Sequence, residues 1–261
     1  MTSGRSQVIS SFTIIKGSLI EETYSIFRDW DQNLSKSENL ALMRERNTIG
    51  ASSTHWLRDV SKVLNRRFDS ENRDRSLISL AKANCEQDIW KPLLLWHMTQ
   101  DEYLLKDFLS EFLWKQFKDG TFRIYTDDVL KYLDEIPKNS DISWSGNWSD
   151  STRSRVASGL LRIASDFGIL KGTKTKEFSS YHLPDQSFLY LLHVMASHEP
   201  NARRIIDSKD WRMFLMDVSD VERELLRLHQ FQKVHYQSAG SLAQLKLPNE
   251  SPEAFVREQF A

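Results

Sequence analysis

The segment STRSRVASGLLRIASDF, residues 151–167, is the most informative part of the chain. Its large apolar residues recur at helical spacing and fall on one face, as the core side of an amphipathic helix requires; they are Val156, Leu160, Ile163 and Phe167. Serines and arginines occupy the opposite face, and Gly168 follows the segment. Small serines allow a close approach to a groove, and arginines reach phosphates and guanine edges. The pattern is typical of a helix that binds nucleic acid.

A basic turn follows this helix, because the sequence KGTKTKE at 171–177 lies between two short extended stretches. Two helices followed by a basic hairpin are typical of a winged helix-turn-helix, whose second helix enters the major groove while the wing lies along the backbone. We predict a winged-helix domain at 121–184. Its predicted nucleic-acid-binding residues are Ser151, Arg153, Ser154, Arg155, Ser158, Arg162, Lys171, Lys174 and Lys176.

The alternative interpretation of this segment is a solvated helix face followed by a solvated turn. Between residues 150 and 177, six bases accompany three acids: Arg153, Arg155, Arg162, Lys171, Lys174 and Lys176 against Asp150, Asp166 and Glu177. This excess, together with the small residues on the helix and the lysines at the hairpin tip, favours the nucleic-acid interpretation.

A second basic stripe lies on a helix predicted at 54–68. Arg58, Lys62 and Arg66 are four residues apart, opposite an apolar face, and a preceding helix with a glycine-containing turn suggests a helix-turn-helix at 38–68. Because acidic residues are interspersed with these bases, an ordinary exposed surface remains an equal alternative for this stripe.

Composition excludes several classes of protein. The 261 residues include 35 Lys and Arg against 36 Asp and Glu, so a uniformly basic nucleic-acid coat is excluded, although a local basic patch is not. Cys85 is the one cysteine, which excludes a disulfide framework and multi-cysteine zinc sites and fits a reducing cytoplasm. No apolar run approaches the roughly 18 residues of a membrane span, so no membrane association is predicted.

The predicted fold is mainly α, because glycine and proline are scarce and most apolar spacing is helical. The predicted divisions are a helical N-terminal domain at 1–120, the winged-helix domain at 121–184 and a helical C-terminal domain at 185–261. A similar order of helices and hairpin in the last part suggests a second winged helix there.

Signals of catalysis are weak. None of the seven histidines belongs to an H-E-x-x-H zinc motif, and the chain lacks a glycine-rich phosphate loop and a nucleophile elbow. We therefore predict that the protein is not an enzyme and uses no cofactor and no metal.

Several short motifs resemble one family. They are ISSFT at 9–13, KGSLIEE at 16–22, STRSRVA at 151–157, DFGIL at 166–170 and the hairpin residues 239–241. Together they resemble the BrxA family, the small component of BREX bacteriophage-resistance systems. The resemblance implies a bacterial cytosolic protein without a catalytic role of its own, acting beside a DNA methyltransferase and large ATPases. Family members have been likened to a helical RNA-binding antitermination factor, and DNA binding is also ascribed to them.

These observations lead to three hypotheses. The first is binding of double-stranded DNA, largely through phosphates; with about six phosphates neutralised, affinity falls by roughly a thousandfold between about 50 and 200 mM salt. The second is a protein–protein assembly adaptor of the defence complex, which the near-zero net charge permits. The third is RNA binding, which competition between duplex DNA and hairpin RNA separates from the first.

Overall fold

The computed structural model describes residues 8–68, 73–139, 148–240 and 242–260, so Ser241 of the hairpin motif lies outside the described residues. Helices make up most of this part of the chain, and two short antiparallel hairpins accompany them. The predicted mainly α fold with short β-hairpins is therefore confirmed. No described helix has both the length and the hydrophobicity needed to cross a bilayer.

The first described region is a set of helices that pack around one another. They are α1 (Ser11–Lys16), α2 (Ile20–Arg28), α3 (Lys36–Arg46), α4 (Thr54–Arg67), α5 (Arg75–Lys82) and α6 (Gln87–Thr99). Helix α2 packs on α5, and α3 packs on α4. Helix α4 ends one residue before the predicted helix, and its buried face includes Leu57, Val60 and Leu64.

Two sequence patterns that both predict capping boxes have different outcomes. Ser35 caps α3, with Glu38 completing a capping box. The similar pattern at Ser18 does not cap α2, because Leu19 occupies the N-cap position in a left-handed conformation. The Ser18 hydroxyl instead donates to Asp166 at 2.7 Å, on a helix 148 residues further along the chain. A tertiary contact has taken the place of a local cap.

The apolar residues after Thr99 recur at helical spacing over more than half of a helix circumference, and the helix that they form contains an irregular segment. Helix α7 (Tyr103–Asp107) continues into a π-helical segment (Phe108–Leu113) and then into α8 (Trp114–Lys118). Phe108, Leu109 and Leu113 are almost completely buried, and the π-helical segment packs against a 3-10 helix of the C-terminal region. Burial on several sides explains why apolar residues surround this helix.

The region that follows has the predicted order of helices and hairpin. It comprises α9 (Thr126–Asn139), α10 (Asp150–Asp166), β1 (Leu170–Lys171) and β2 (Glu177–Phe178). Strands β1 and β2 pair antiparallel, and Ile124, before α9, bridges to Lys176 beside β2. Gly172 begins the hairpin turn with a φ of +98°, and a side chain there would overlap the Thr175 carbonyl oxygen.

The C-terminal region again contains helices followed by a hairpin. Its elements are α11 (Asp185–Ala196), α12 (Ala202–Ile206), a 3-10 helix (Lys209–Phe214), α13 (Val218–Gln230), β3 (His235–Ala239), β4 (Leu242–Lys246) and α14 (Pro252–Phe260). The sequence SDVE at 219–222 fits a capping box with Ser219 as the N-cap, but Asp217 is the N-cap of α13 and forms the capping box with Asp220. The side chain of Ser219 donates to Asp217 instead.

Contacts between regions link distant parts of the sequence. Helix α11 packs on α6, and α14 packs on α5. A buried polar chain crosses the same junction: the Tyr190 hydroxyl lies 2.7 Å from Ser76 Oγ and 2.9 Å from His97 Nε2. Burial lowers the pKa of His97, although its Nδ1 lies 2.6 Å from an Asp74 oxygen. The division into three domains stays a prediction.

Candidate nucleic-acid interface

Helix α10 begins where the sequence predicts it. The Ser149 side chain accepts a hydrogen bond from the Thr152 amide and caps the helix. All four apolar residues of the predicted face are buried, namely Val156, Leu160, Ile163 and Phe167. Burial of this face fixes the opposite face toward solvent, so the orientation of the basic residues follows from the apolar spacing.

The N-terminal half of α10 presents an uncovered polar surface. Ser151, Ser154, Arg155 and Ser158 are all exposed. Among the described residues, the Arg155 guanidinium has no hydrogen bond or ion pair. An exposed guanidinium among small hydroxyl side chains, within two turns of a helix N-terminus, is well placed for an anionic ligand.

Arg153 differs from Arg155 although only one residue separates them. Its guanidinium is about one-third exposed and pairs with Asp134 of α9 and, at 3.7 Å, with Asp150 of its own helix. These carboxylates neutralise its charge and tie α10 to α9. Arg153, one of the predicted residues in the first turn of α10, therefore makes a structural contact within the protein.

The C-terminal half of α10 is covered by the N-terminal segment, which we define as residues 8–19. Helix α1 lies across α10 so closely that a Cβ on Gly159 would be 2.8 Å from the Ile14 carbonyl oxygen. The Arg162 guanidinium donates to the Ile15 carbonyl oxygen at 3.0 Å and lies against Gly17, whose φ is +90°. Arg162 is still exposed, but one of its donors is engaged by protein.

A shallow groove lies between α1 and the exposed face of α10. It has a volume of about 450 Å³ and lies between Ile15 of α1 and the α10 residues Ser154, Arg155, Ser158 and Arg162. The structure thus brings together four of the predicted residues on one groove wall. The opposite wall is the N-terminal segment, which the motif analysis did not place here.

The three predicted lysines of the β1–β2 hairpin differ in their exposure and contacts. Lys171 and Lys174 are exposed and, within the described ranges, have no carboxylate partner. Lys176 is half-buried, and its ammonium donates back to the Gly172 carbonyl oxygen at 2.6 Å. Two of the three lysines are therefore available to an anion, while the third closes the turn.

The second basic stripe, on α4, also contains both exposed residues and a residue that is engaged by protein. Arg58 and Lys62 are exposed, although Arg58 bonds weakly to the Thr54 carbonyl oxygen at 3.4 Å. Arg66 is directed inward: it donates to the Val8 carbonyl oxygen at 2.6 Å and lies 3.7 Å from the carboxylate of Glu102. Only the first two of these three residues present free charge to solvent.

Arg67, which the four-residue spacing of the basic stripe does not include, is fully buried. Its guanidinium donates to the carbonyl oxygens of Thr13, Gly17 and Ser18 at 2.6–3.0 Å and lies 3.6 Å from Glu102. Burial lowers the pKa of Arg67 to about 10, and burial raises the pKa of Glu102 despite the neighbouring arginines. Arg67 lies seven residues after Val60 and three after Leu64, in phase with the buried face, and this signal was available in the sequence.

The described residues contain no group of three His, Cys, Asp or Glu side chains that could hold a metal ion. The absence of a metal and of a cofactor stays an expectation. What the surface offers instead is cationic: Arg155, Lys171 and Lys174 on one module, and Arg58 and Lys62 on α4.

Comparison with known proteins identifies a family. A search of curated protein sequences returns no significant relative. The profile of the BrxA family matches residues 11–194, which is well over half of the 261-residue chain and includes α1, α4, α10 and the β1–β2 hairpin. The chain therefore belongs to the BrxA family, and through it to the BREX systems of defence against phage.

Proposed function

We propose that this protein is a non-catalytic, DNA-binding component of its BREX system, and that it binds double-stranded DNA mainly through backbone phosphates. The observation that carries the proposal is the uncovered N-terminal half of α10, where Arg155 is exposed among three serines with no carboxylate partner in the described structure. A duplex has a phosphate about every 1.7 Å along its axis, so an unpaired arginine on an exposed helix face meets one readily.

The order of elements supports a winged-helix mode of binding. The helical run from α7 to α8 is followed by the Ile124 bridge, then α9, α10 and the β1–β2 hairpin. In such modules the recognition helix inserts its N-terminal part into the major groove while the hairpin follows the backbone. In this chain the uncovered half of α10 is the N-terminal half, and the exposed Lys171 and Lys174 lie on the hairpin.

A salt titration of duplex binding tests this proposal and counts the phosphates. If Arg155, Lys171 and Lys174 each neutralise one phosphate, affinity falls about 40-fold between about 50 and 200 mM salt. If Arg58 and Lys62 also take part, five contacts give a fall of about 500-fold. A flat salt response rejects the phosphate mode.

Charge reversal identifies the surface. We expect Arg155→Glu to weaken duplex binding by about tenfold to a hundredfold, because a phosphate contact becomes a repulsion. Arg28→Glu is the matched control, since Arg28 is half-exposed on α2 and lies 4.0 Å from Asp29. Equal effects of the two variants contradict a site on α10. Hairpin RNA added as a competitor separates duplex DNA from RNA as the ligand, because a deep A-form groove excludes a recognition helix.

An assembly adaptor is the second candidate, and one observation favours it. Phe122 is 69% exposed, and Tyr125 and Phe117, three and five residues away along the chain, are 47% and 38% exposed; a patch of exposed aromatic residues is what a partner protein buries. The partner proposed for this patch is another BREX component such as the methyltransferase. Pull-down that is lost in Phe122→Ser but kept in Arg155→Glu, with no duplex binding by the wild type, favours the adaptor.

A further inference from the structure

A second cationic site lies in the C-terminal region, beyond the residues that match the family. A pocket of about 350 Å³ opens between the end of α13 and the base of the β3–β4 hairpin. Its charged and titratable lining residues are His229, Lys233, His235 and Lys246, and no described aspartate or glutamate lines it.

The backbone around this pocket is ordered by hydrogen bonds. Helix α13 ends in a Schellman-type turn, in which Gln232 has a φ of +57° and the Lys233 amide donates to the Leu228 carbonyl oxygen at 2.9 Å. Across the hairpin, His235 pairs directly with Lys246. Directly paired residues of a sheet present their side chains on the same face, about 5 Å apart. The two lysines and two histidines are therefore held together by secondary structure.

His229 has one ring nitrogen free for a ligand. Its Nδ1 lies 3.4 Å from both the Val234 carbonyl oxygen and the Tyr236 amide nitrogen. Its Nε2 has no hydrogen-bond partner among the described residues. The ring of His229 also lies edge-on to that of His235, with centroids 5.3 Å apart. An acceptor with several oxygens can be reached by both rings at once.

The charges of this pocket are not neutralised, whereas the other bases of α13 are. Arg223 pairs with Asp220 at 2.9 Å, and Arg227 pairs with Glu224 at 2.8 Å and with Asp185. Lys233 and Lys246 have no carboxylate partner in the described part of the chain. Because both ammonium groups line the same pocket, an anion between them relieves their mutual repulsion.

We propose that this pocket binds a phosphate group. A phosphate oxyanion accepts hydrogen bonds from lysine ammonium groups and imidazole N–H groups, and its several oxygens match the number of donors that converge here. The site does not rest on duplex binding by α10, because no residue is shared between the two surfaces.

Titration of the full chain with inorganic phosphate tests the proposal by NMR. The ring C2–H signals of His229 and His235 are expected to shift saturably as phosphate is added. The double variant Lys233→Gln, Lys246→Gln is expected to weaken this binding by about tenfold or more, since each lost contact is charge-assisted. The matched control replaces the exposed Lys115 and Lys131 by glutamine. Equal shifts with sodium chloride at the same ionic strength, or full binding by the double variant, overturn the proposal.

The source of the phosphate is distinguished by two further ligands. Loss of duplex DNA affinity in the double variant identifies a nucleic-acid backbone, and loss of binding to a nucleoside monophosphate alone identifies a free phosphate compound. Either result supports the site, whereas no binding of inorganic phosphate, duplex or mononucleotide to the wild type contradicts it. Arg155→Glu is expected to leave the phosphate titration unchanged, so failure of the α10 surface and failure of this pocket are separable.

Discussion

Helices α4 and α10 look alike in sequence and differ in what their arginines contact. Each has bases opposite an apolar face: Arg58, Lys62 and Arg66 are four residues apart on α4, and Arg155 and Arg162 are seven residues apart on α10. On α10, Arg155 faces solvent without a described partner. On α4, Arg67 is completely buried and holds the N-terminal segment through three carbonyl oxygens.

The difference shows that spacing places a base on a helix face but does not say what covers that face. The N-terminal segment packs on both helices, so that Arg66, Arg67 and Arg162 all donate to its carbonyl oxygens. Arg155 makes no such bond because it lies about one helical turn before the crossing point at Gly159. A basic residue binds a partner or a neighbouring segment according to the path of a remote part of the chain.

The largest expected effect comes from removing the buried base of α4. Arg67→Met removes a charge partner of the buried Glu102 carboxylate and the donor to three carbonyl oxygens, and we expect the free energy of unfolding to fall by about 3–5 kcal/mol. Urea denaturation followed by tryptophan fluorescence measures it. Lys62→Met, on the exposed side of α4, is the control and is expected to stay within about 0.5 kcal/mol of wild type. A loss of stability below about 1 kcal/mol for Arg67→Met contradicts the interpretation that this arginine of α4 is structural, in contrast to Arg155 of α10.

The close crossing of α1 over α10 predicts the second-largest loss of stability. Gly159→Ala places a methyl group 2.8 Å from the Ile14 carbonyl oxygen, so backbone must shift, and we expect a loss of about 1–3 kcal/mol. Ser158→Ala, on the exposed face one residue earlier, is the control with almost no effect. Equal stability of the two variants, measured by thermal unfolding, contradicts the observed packing of α1.

Arg162 sharpens the comparison because it lies on α10 but contacts the N-terminal segment. Arg162→Gln removes the bond to Ile15, and we expect a loss of stability of about 0.5–1.5 kcal/mol. Because that arginine is engaged by protein, we expect duplex affinity to change by less than about threefold, compared with about tenfold for Arg155→Gln. A stronger effect of Arg162→Gln on binding shows that the arginine leaves α1 when DNA is present. Fluorescence anisotropy and urea denaturation provide the two readouts.

Salt is expected to have the smallest effect on stability. It also distinguishes the buried Arg67, which holds the N-terminal segment, from the exposed Arg155, which is proposed to bind DNA. Raising sodium chloride from about 50 to 500 mM screens exposed charges but affects buried pairs much less. Because the contacts of Arg67 are buried, their contribution to the free energy of unfolding is expected to change by less than about 0.5 kcal/mol over this range of salt. Duplex affinity is expected to fall steeply over the same range. A parallel fall in both quantities indicates that the N-terminal segment is held by solvent-exposed charge.

Local spacing was sufficient to predict α10, its buried face and most of α4. Val156, Leu160 and Ile163 are buried as their positions require, because a helix turns these residues onto one side whatever lies beyond. The capping box at Ser35 formed for the same local reason. The cap expected at Ser18 did not, because Asp166 competes for that hydroxyl from far along the chain.

The part that was not predictable is nonlocal. Neither ISSFT at 9–13 nor any other motif indicates that α1 lies across α10, yet that crossing decides which predicted arginines stay free. The buried position of Arg67 was readable from its phase, but its polar partners are backbone atoms, which have no sequence signature. The predicted site on α10 and the hairpin remains a prediction that the duplex-binding variants test.

Helix α14, near one end of the chain, closes over α5, about 170 residues earlier. Helix α2 can pack on α5 early in synthesis, but the part of α5 that contacts α14 stays uncovered until about 170 further residues have been made. At about 5–20 residues per second this delay lasts about 9–34 s. A nascent chain is thus expected to expose this part of α5 to chaperones during that interval, and to bury it once α14 has been synthesised.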